Sequence, residues 1–125
     1  MEVYGRFWVK KDNKNYLGIG RVELLRGIIK TGSISSSAKT MRMSYKAAWD
    51  NIDAINNLSA TPLVTSATGG KGGGGTKVTP AGLEAIEAFR ELENAKEAFC
   101  AYLSDIESLE ELKNKSLEIQ KLLKK

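Results

Sequence analysis

The sequence predicts a mainly α-helical domain carrying a small β-sheet, on three observations. Two short amphipathic segments, residues 33–41 and 44–59, are separated by only two residues. Two short strand-like segments, "PLVTSAT" and "TKVT", follow directly and flank a glycine run. After Pro80 a long segment with apolar residues at steps of three and four runs toward the C-terminus, with no further proline and only Gly82 as glycine. Two helices joined by a tight turn form a helix-turn-helix, and a hairpin immediately behind them forms the wing of a winged helix-turn-helix. The expected division is a winged helix-turn-helix over residues 1–79, then a helical dimerisation segment with a charged tail over 80–125.

Each element has a local reason. "VYGRFWV", residues 3–9, alternates: Val3, Gly5, Phe7 and Val9 share one face and Tyr4, Arg6 and Trp8 the other, which reads as an N-terminal strand. "KKDNKN" is turn material, and "YLGIG" forms a return strand or leads into a helix. In "RVELLRGIIK", Val22, Leu25, Ile28 and Ile29 fall at helical spacing, with Gly32 as the left-handed terminator. Ser33 caps a helix in which Ile34, Ala38 and Met41 share a face. Ser44 caps the next, whose inner stripe is Ala48, Ile52, Ile55 and Ser59, flanked by Leu58, while Lys46, Asp50, Asp53 and Asn57 point away. Thr79 caps the long helix, with Pro80 at its first position. Its seam, Ala85, Ala88, Leu92, Ala95, Phe99, Tyr102, Ile106 and Leu109, has coiled-coil spacing and is widened by Leu83, Ile86, Phe89 and Leu103. One helix cannot bury such a stripe alone: it packs on its own domain, on its copy in a second chain, or on both, and Leu92, Ala95, Phe99, Tyr102 and Ile106 are expected at a homodimer contact. "LSDIESLEELKNK" breaks the helix near Ser104.

Composition removes several function classes. The chain has 125 residues, one cysteine (Cys100) and no histidine. An intramolecular disulfide and a Cys/His metal cluster are thereby excluded, as are the commonest general base and the usual triad partner. No enzyme, metal site or cofactor is expected. No apolar run approaches the ~20 residues of a bilayer span, and "MEVYGRFWVKKDN" lacks the apolar core of a signal peptide. A cytoplasmic chain without membrane contact is the expectation. The net charge of +4 is uneven: residues 1–79 hold twelve Lys/Arg against five Asp/Glu, and residues 80–125 hold seven against ten. A basic front meeting a polyanion, here double-stranded DNA, fits that asymmetry.

Six of twelve glycines lie within residues 69–75. "GKGGGG" formally matches G-x-G-x-x-G, but the dinucleotide fingerprint requires its third glycine inside a crossover helix, whereas "TKVTP" intervenes here. The Walker pattern fails too, since Lys71 precedes glycine and Lys77 follows Thr76. A small oxyanion- or nucleotide-binding protein using this loop remains the alternative. A two-residue turn would close the hairpin with less loss of conformational entropy. Six glycines suit a wing tip whose bare amides approach a sugar-phosphate backbone, with Lys71 and Lys77 supplying charge.

The stretch "GSISSSAKTMRMSYKAAWDNIDAINNLSATPLVTSATGGKGGGGTKVTPAG" resembles the N-terminal winged-helix domain of the ModE-type molybdate-dependent transcription regulators. "SYKAAWD" and "ATGGKGGGG", at this separation, are the specific parts, and the likeness covers about residues 3–103. The resemblance implies a homodimer on a palindromic operator, controlling genes of molybdate uptake and molybdoenzymes, with the helix after the wing and the N-terminal strand building the dimer. Full-length members continue into oxyanion-binding domains where molybdate or tungstate acts. Residues 104–125 are too few and too charged to form one, so no effector-binding residue is expected here.

A helix-turn-helix inserts the start of its second helix into the major groove, which singles out Ser44, Tyr45, Lys46, Trp49 and Asp50. Lys46 suits guanine or a phosphate, and Tyr45 a phosphate or a thymine methyl. Trp49 reads equally as core packing, and Asp50 either accepts from cytosine N4 or repels wrong approaches. Ser33, Ser35 and Ser36 open the first helix, where free amides hold a phosphate as well as a cap. Arg42, in the turn, is a backbone contact. On the wing, Thr68, Gly69, Gly70, Lys71, Gly72 and Lys77 complete the expected DNA-binding set.

Overall fold

A two-residue turn sets the start of the fold. Asp12 and Asn13 both lie in the left-handed region, at φ 51° and 64°, as a type I′ hairpin requires. They join β1 (Val9–Lys11) to antiparallel β2 (Lys14–Leu17), with Val9 opposite Leu17 and Lys11 opposite Lys14. The computed structural model describes residues 1–67 and 75–124. The strand expected over residues 3–9 is not formed: residues 3–8 have no regular structure, and the first strand is later and shorter. Alternation alone does not hold a strand. A ladder needs a partner, and among the described residues the N-terminal segment has one only at 9–11, in β2. "YLGIG" fulfils both of its readings, ending β2 and opening α1 (Ile19–Thr31).

The described chain divides into two compact units, Trp8–Arg90 and Met1–Phe7 with Glu91–Lys125. In the first, α1, α2 (Ile34–Thr40) and α3 (Tyr45–Leu58) form the helix-turn-helix and its support. α1 buries Val22, Leu24, Leu25 and Ile28. Ile29, expected in that stripe, is 51% exposed, and Leu24 takes its place. α2 contributes Ile34 and Ala38, and α3 contributes Ala48, Ile52 and Ile55. Each large aliphatic side chain so buried contributes roughly 1.5–3 kcal/mol.

Gly27 makes the crossing of α1 and α2 possible. A Cβ there would overlap the Ser37 hydroxyl, which is buried and donates to the Leu24 carbonyl at 2.9 Å. At its C-terminus α1 is closed by Gly32 in the left-handed region (φ 71°), whose N–H donates to the Ile28 carbonyl at 2.7 Å.

The wing strands β3 (Val64–Ala67) and β4 (Gly75–Val78) pair antiparallel, Val64 opposite Val78 and Ala67 opposite Gly75. The ribbon is fixed at two points: Thr76 N–H donates to the Gly32 carbonyl (3.1 Å) and Thr79 N–H to the Leu63 carbonyl (2.9 Å). The Thr79 hydroxyl accepts from Gly82 N–H at 3.1 Å and donates to the Pro62 carbonyl at 2.7 Å. It therefore both caps α4 (Pro80–Ser104) and ties that helix start to the wing. Gly82 is buried with no room for a Cβ, which would overlap the Leu63 carbonyl oxygen and lie 2.5 Å from Val78 Cγ1. Ile86 and Phe89 pack inward from the first turns of α4.

In the second unit the helix breaks after Ser104, as expected, and resumes as α5 (Leu109–Leu123), capped by Ser108. Lys115 Nζ donates to the Tyr102 and Asp105 carbonyls at 3.0 and 2.8 Å, a cation on the open end of α4. The Tyr102 hydroxyl donates to Glu118 at 2.8 Å, and that bond holds the phenol above its ordinary pKa. Val3 N–H donates to Ser104 Oγ at 2.8 Å, and the terminal amine to the Ile106 carbonyl at 3.1 Å.

Gly→Ala inside a helix normally stabilises. Here Gly27→Ala and Gly82→Ala each lower stability by about 1–3 kcal/mol, because the added methyl meets fixed atoms. Gly20→Ala, where nothing lies within 4 Å, raises it by about 0.5–1 kcal/mol. Urea midpoints at unchanged slope check all three.

Candidate nucleic-acid interface

What α3 hides determines what it shows. Ala48, Ile52 and Ile55 are buried, which leaves Lys46, Asp50, Asp53 and Asn57 on the exposed face. Its start is organised by Ser44, whose hydroxyl accepts from Ala47 N–H at 3.0 Å. Lys46 and Asp50 form an i,i+4 ion pair at 3.0 Å with side chains 85% and 63% exposed. So exposed a pair is heavily screened and worth little. Tyr45 is exposed and meets half-buried Trp49 edge to face, ring centres 6.2 Å apart. Trp49 is thus part core and part surface.

Two polar ties fix α3 between β-ribbons. On one flank the Asn56 amide accepts from Leu63 and Val64 N–H (2.8 and 3.2 Å) and donates to the Val64 carbonyl (3.0 Å). It locks the C-terminal turn of α3 to the first wing strand. On the other flank Arg21 donates from Nε to Asn51 Oδ1 (2.8 Å) and from one Nη to the Asn15 and Tyr16 carbonyls (2.6 and 3.1 Å). Burial lowers the pKa of that guanidinium from its ordinary value. The Tyr16 hydroxyl meets Ser59 Oγ at 2.6 Å, and Ser59 donates onward to the Ile55 carbonyl. At about 100° per residue, Asn51 and Asn56 stand about 140° apart around the helix, on opposite sides of the buried stripe. Arg21, Tyr16, Asn51 and Asn56 are missing from the expected set. The only signal for them was asparagine inside a helix, a poor helix former there unless its side chain has other partners.

The turn before α3 is unusual. Arg42 has φ 57°; its N–H donates to the Lys39 carbonyl (3.1 Å) and Met43 N–H to the Ala38 carbonyl (3.0 Å). This bond pair is a Schellman closure with arginine where glycine is favoured. An exposed guanidinium is thereby held beside the start of α3. Ser33 caps α2, accepting from Ser36 N–H at 3.1 Å, and Ser35 and Ser36 are exposed beside it. Lys77 is exposed on β4. Thr68, Gly69, Gly70, Lys71 and Gly72 lie outside the described residues.

On α4, Leu92 is half-buried, Ala95 is exposed, and Phe99 and Tyr102 are 40% and 43% exposed. Ile106 is 4% exposed, buried within its own chain, so the solvent-facing seam is the first four. A cavity of about 440 Å³ elsewhere in the first unit is lined mainly by apolar groups, among them Val9, Leu17, Leu63, Ala85 and Phe89. Its charged lining residues are Lys11 and Glu84, a poor match to an oxyanion. No group of three or more His, Cys, Asp or Glu able to hold a metal occurs among the described residues, and no described helix is long and apolar enough to cross a membrane.

Comparison with known proteins gives a consistent set of relatives. The chain is 53% identical over 77 residues to the molybdenum-pterin-binding protein MopB of Rhodobacter capsulatus, covering 62% of this chain and 28% of that protein. It is 48% identical over 73 residues to the molybdenum transport protein ModE of Azotobacter vinelandii (58% and 27%). It is 41% identical over 101 residues to the DNA-binding transcriptional dual regulator ModE of Escherichia coli K12 (81% and 38%). That last match necessarily takes in α2, α3 and both wing strands. The chain spans roughly a third of these relatives' length. No family model matches.

Arg42→Gly relieves a left-handed arginine, worth about 1–2 kcal/mol, against the extra unfolded-state freedom of glycine, about 0.5–1 kcal/mol. The expected net is a gain of about 0.5–1 kcal/mol, read as a raised thermal midpoint.

Proposed function

We propose that this chain, a homologue of the ModE-type transcription regulators, is a sequence-specific regulator that binds duplex DNA, acting as a homodimer on a palindromic operator. Its targets are genes of molybdate uptake and molybdoenzymes, and it works in the cytoplasm without catalysis. The observation that carries the reading is α3: capped, buried along one stripe, and presenting Tyr45, Lys46 and Asp50 between two anchored ribbons.

The mechanism starts from the start of α3 entering the major groove. The Lys46–Asp50 pair is weak enough to open on contact with DNA, releasing an ammonium for guanine O6/N7 and a carboxylate for cytosine N4. Tyr45 and the exposed edge of Trp49 lie toward the wing side of the helix and meet backbone or a thymine methyl. Arg42, with Ser33, Ser35 and Ser36, contacts phosphates beside the groove. The glycine wing follows the backbone closely, with Lys71 and Lys77 neutralising phosphates. Leu92, Ala95, Phe99 and Tyr102 pair with their copies across the dimer axis, burying an apolar stripe that one chain leaves open.

The test begins with a duplex selected from a random library by the purified chain, compared with its scrambled counterpart at several salt concentrations. Lys46→Ala changes the preferred sequence, whereas Lys71→Ala weakens binding to both duplexes and flattens the salt slope by about 0.9. Equal losses on both duplexes for Lys46→Ala remove its base-reading role. Sedimentation of Phe99→Asp checks the dimer: a monomer with weakened binding to the selected palindrome is expected, and an intact dimer refutes this contact.

A further inference from the structure

The hairpin β1–β2 carries Lys10, Lys11 and Lys14 within five positions, with Asp12 in its turn as the only acid there. All three lysines are exposed, and none has an ion-pair partner among the described residues. Lys11 stands directly opposite Lys14 in the ladder. Like charges so placed destabilise a ribbon, so the fold does not account for them. Lys11 Nζ lies over the Tyr16 ring, 5.7 Å from its centre, a weak contact at an exposed residue.

The hairpin is also anchored. Arg21 ties the Asn15 and Tyr16 carbonyls to Asn51, on the flank of α3 opposite the wing tie at Asn56. The same Arg21 nitrogen meets both carbonyls, and the Tyr16 hydroxyl reaches Ser59 just past the C-terminal end of α3. The lysines are carried on this hairpin, and so on that flank of α3.

We infer that the β1–β2 hairpin is a second phosphate-binding ribbon. With α3 in the major groove and the glycine wing on one side, Lys10, Lys11 and Lys14 grip the sugar-phosphate backbone on the other. The group recognised is the phosphodiester and no base, so the contribution is independent of sequence. The inference rests on the duplex-DNA reading above.

The experiment uses the full chain, the selected duplex and a scrambled duplex of equal length. The triple variant Lys10→Gln, Lys11→Gln, Lys14→Gln is expected to lose affinity for both duplexes equally. For every phosphate that goes unneutralised, the salt slope falls by about 0.9 and the affinity at 0.1 M salt by roughly 10-fold. The triple Lys→Arg variant keeps wild-type slope and affinity. Hydroxyl-radical cleavage of the wild-type complex, which depends on no variant, is expected to show protected backbone on both sides of the central groove. Protection on the wing side alone, or a Gln variant with wild-type slope, overturns the ribbon while leaving wild-type DNA binding in place. Wild-type protein that binds no duplex overturns both readings together.

Discussion

The close approach of α1 and α2 at Gly27 and Ser37 is the contact on which the rest of the first unit depends. The missing Cβ lets the two helices cross with the Ser37 hydroxyl inserted between them and satisfied by the Leu24 carbonyl. Only then does the intervening turn place the Gly32 carbonyl where Thr76 of the wing can donate to it. The same crossing sets where α2 ends, and the left-handed turn at Arg42 then sets where α3 begins. A backbone too bulky by one methyl would displace the helix pair and the wing base together.

Around α3 the division of labour is chemical. Apolar burial of Ala48, Ile52 and Ile55 holds the helix down but, being non-directional, leaves its rotation and its neighbours loosely specified. Directional bonds from Asn56 and Arg21 supply that specification, because each half-buried amide or guanidinium that loses its partners suffers desolvation. Charge, by contrast, contributes little to the fold: the four ion pairs among the described residues are local i,i+3 or i,i+4 contacts. Among the described basic residues, Arg42, Lys77 and the lysines of the β1–β2 hairpin take part in no ion pair, and Lys46 is held only by its exposed partner Asp50.

α4 carries two apolar stripes that its sequence runs together. Ile86 and Phe89 are consumed within the first unit, while Leu92, Ala95, Phe99 and Tyr102 stay at least partly open in the second. Lys115 and Glu118 of α5 engage the backbone and hydroxyl of Tyr102, and the Lys115 ammonium lies over its ring, 4.5 Å from the centre, while the ring stays partly exposed. An apolar stripe left in that condition is what the proposed homodimer would bury.

By itself, the sequence determined the helix-turn-helix, the hairpin behind it, the caps at Ser33, Ser44 and Thr79, and the break near Ser104. All of these follow from local periodicity, capping chemistry and turn residues, which act within a few positions. The exposed face of α3 was legible for the same reason: it is the complement of a stripe with helical period. Tertiary structure alone decided the rest. The N-terminal strand, well patterned over residues 3–9, starts only at Val9 because a strand exists by pairing and the partner, β2, lies in register only there. Ile29 gave way to Leu24, and Ile106 turned inward, because burial is settled by neighbours from elsewhere in the chain. The ties through Arg21, Asn51, Asn56 and Tyr16 join residues up to 43 positions apart, a distance over which no local pattern carries information.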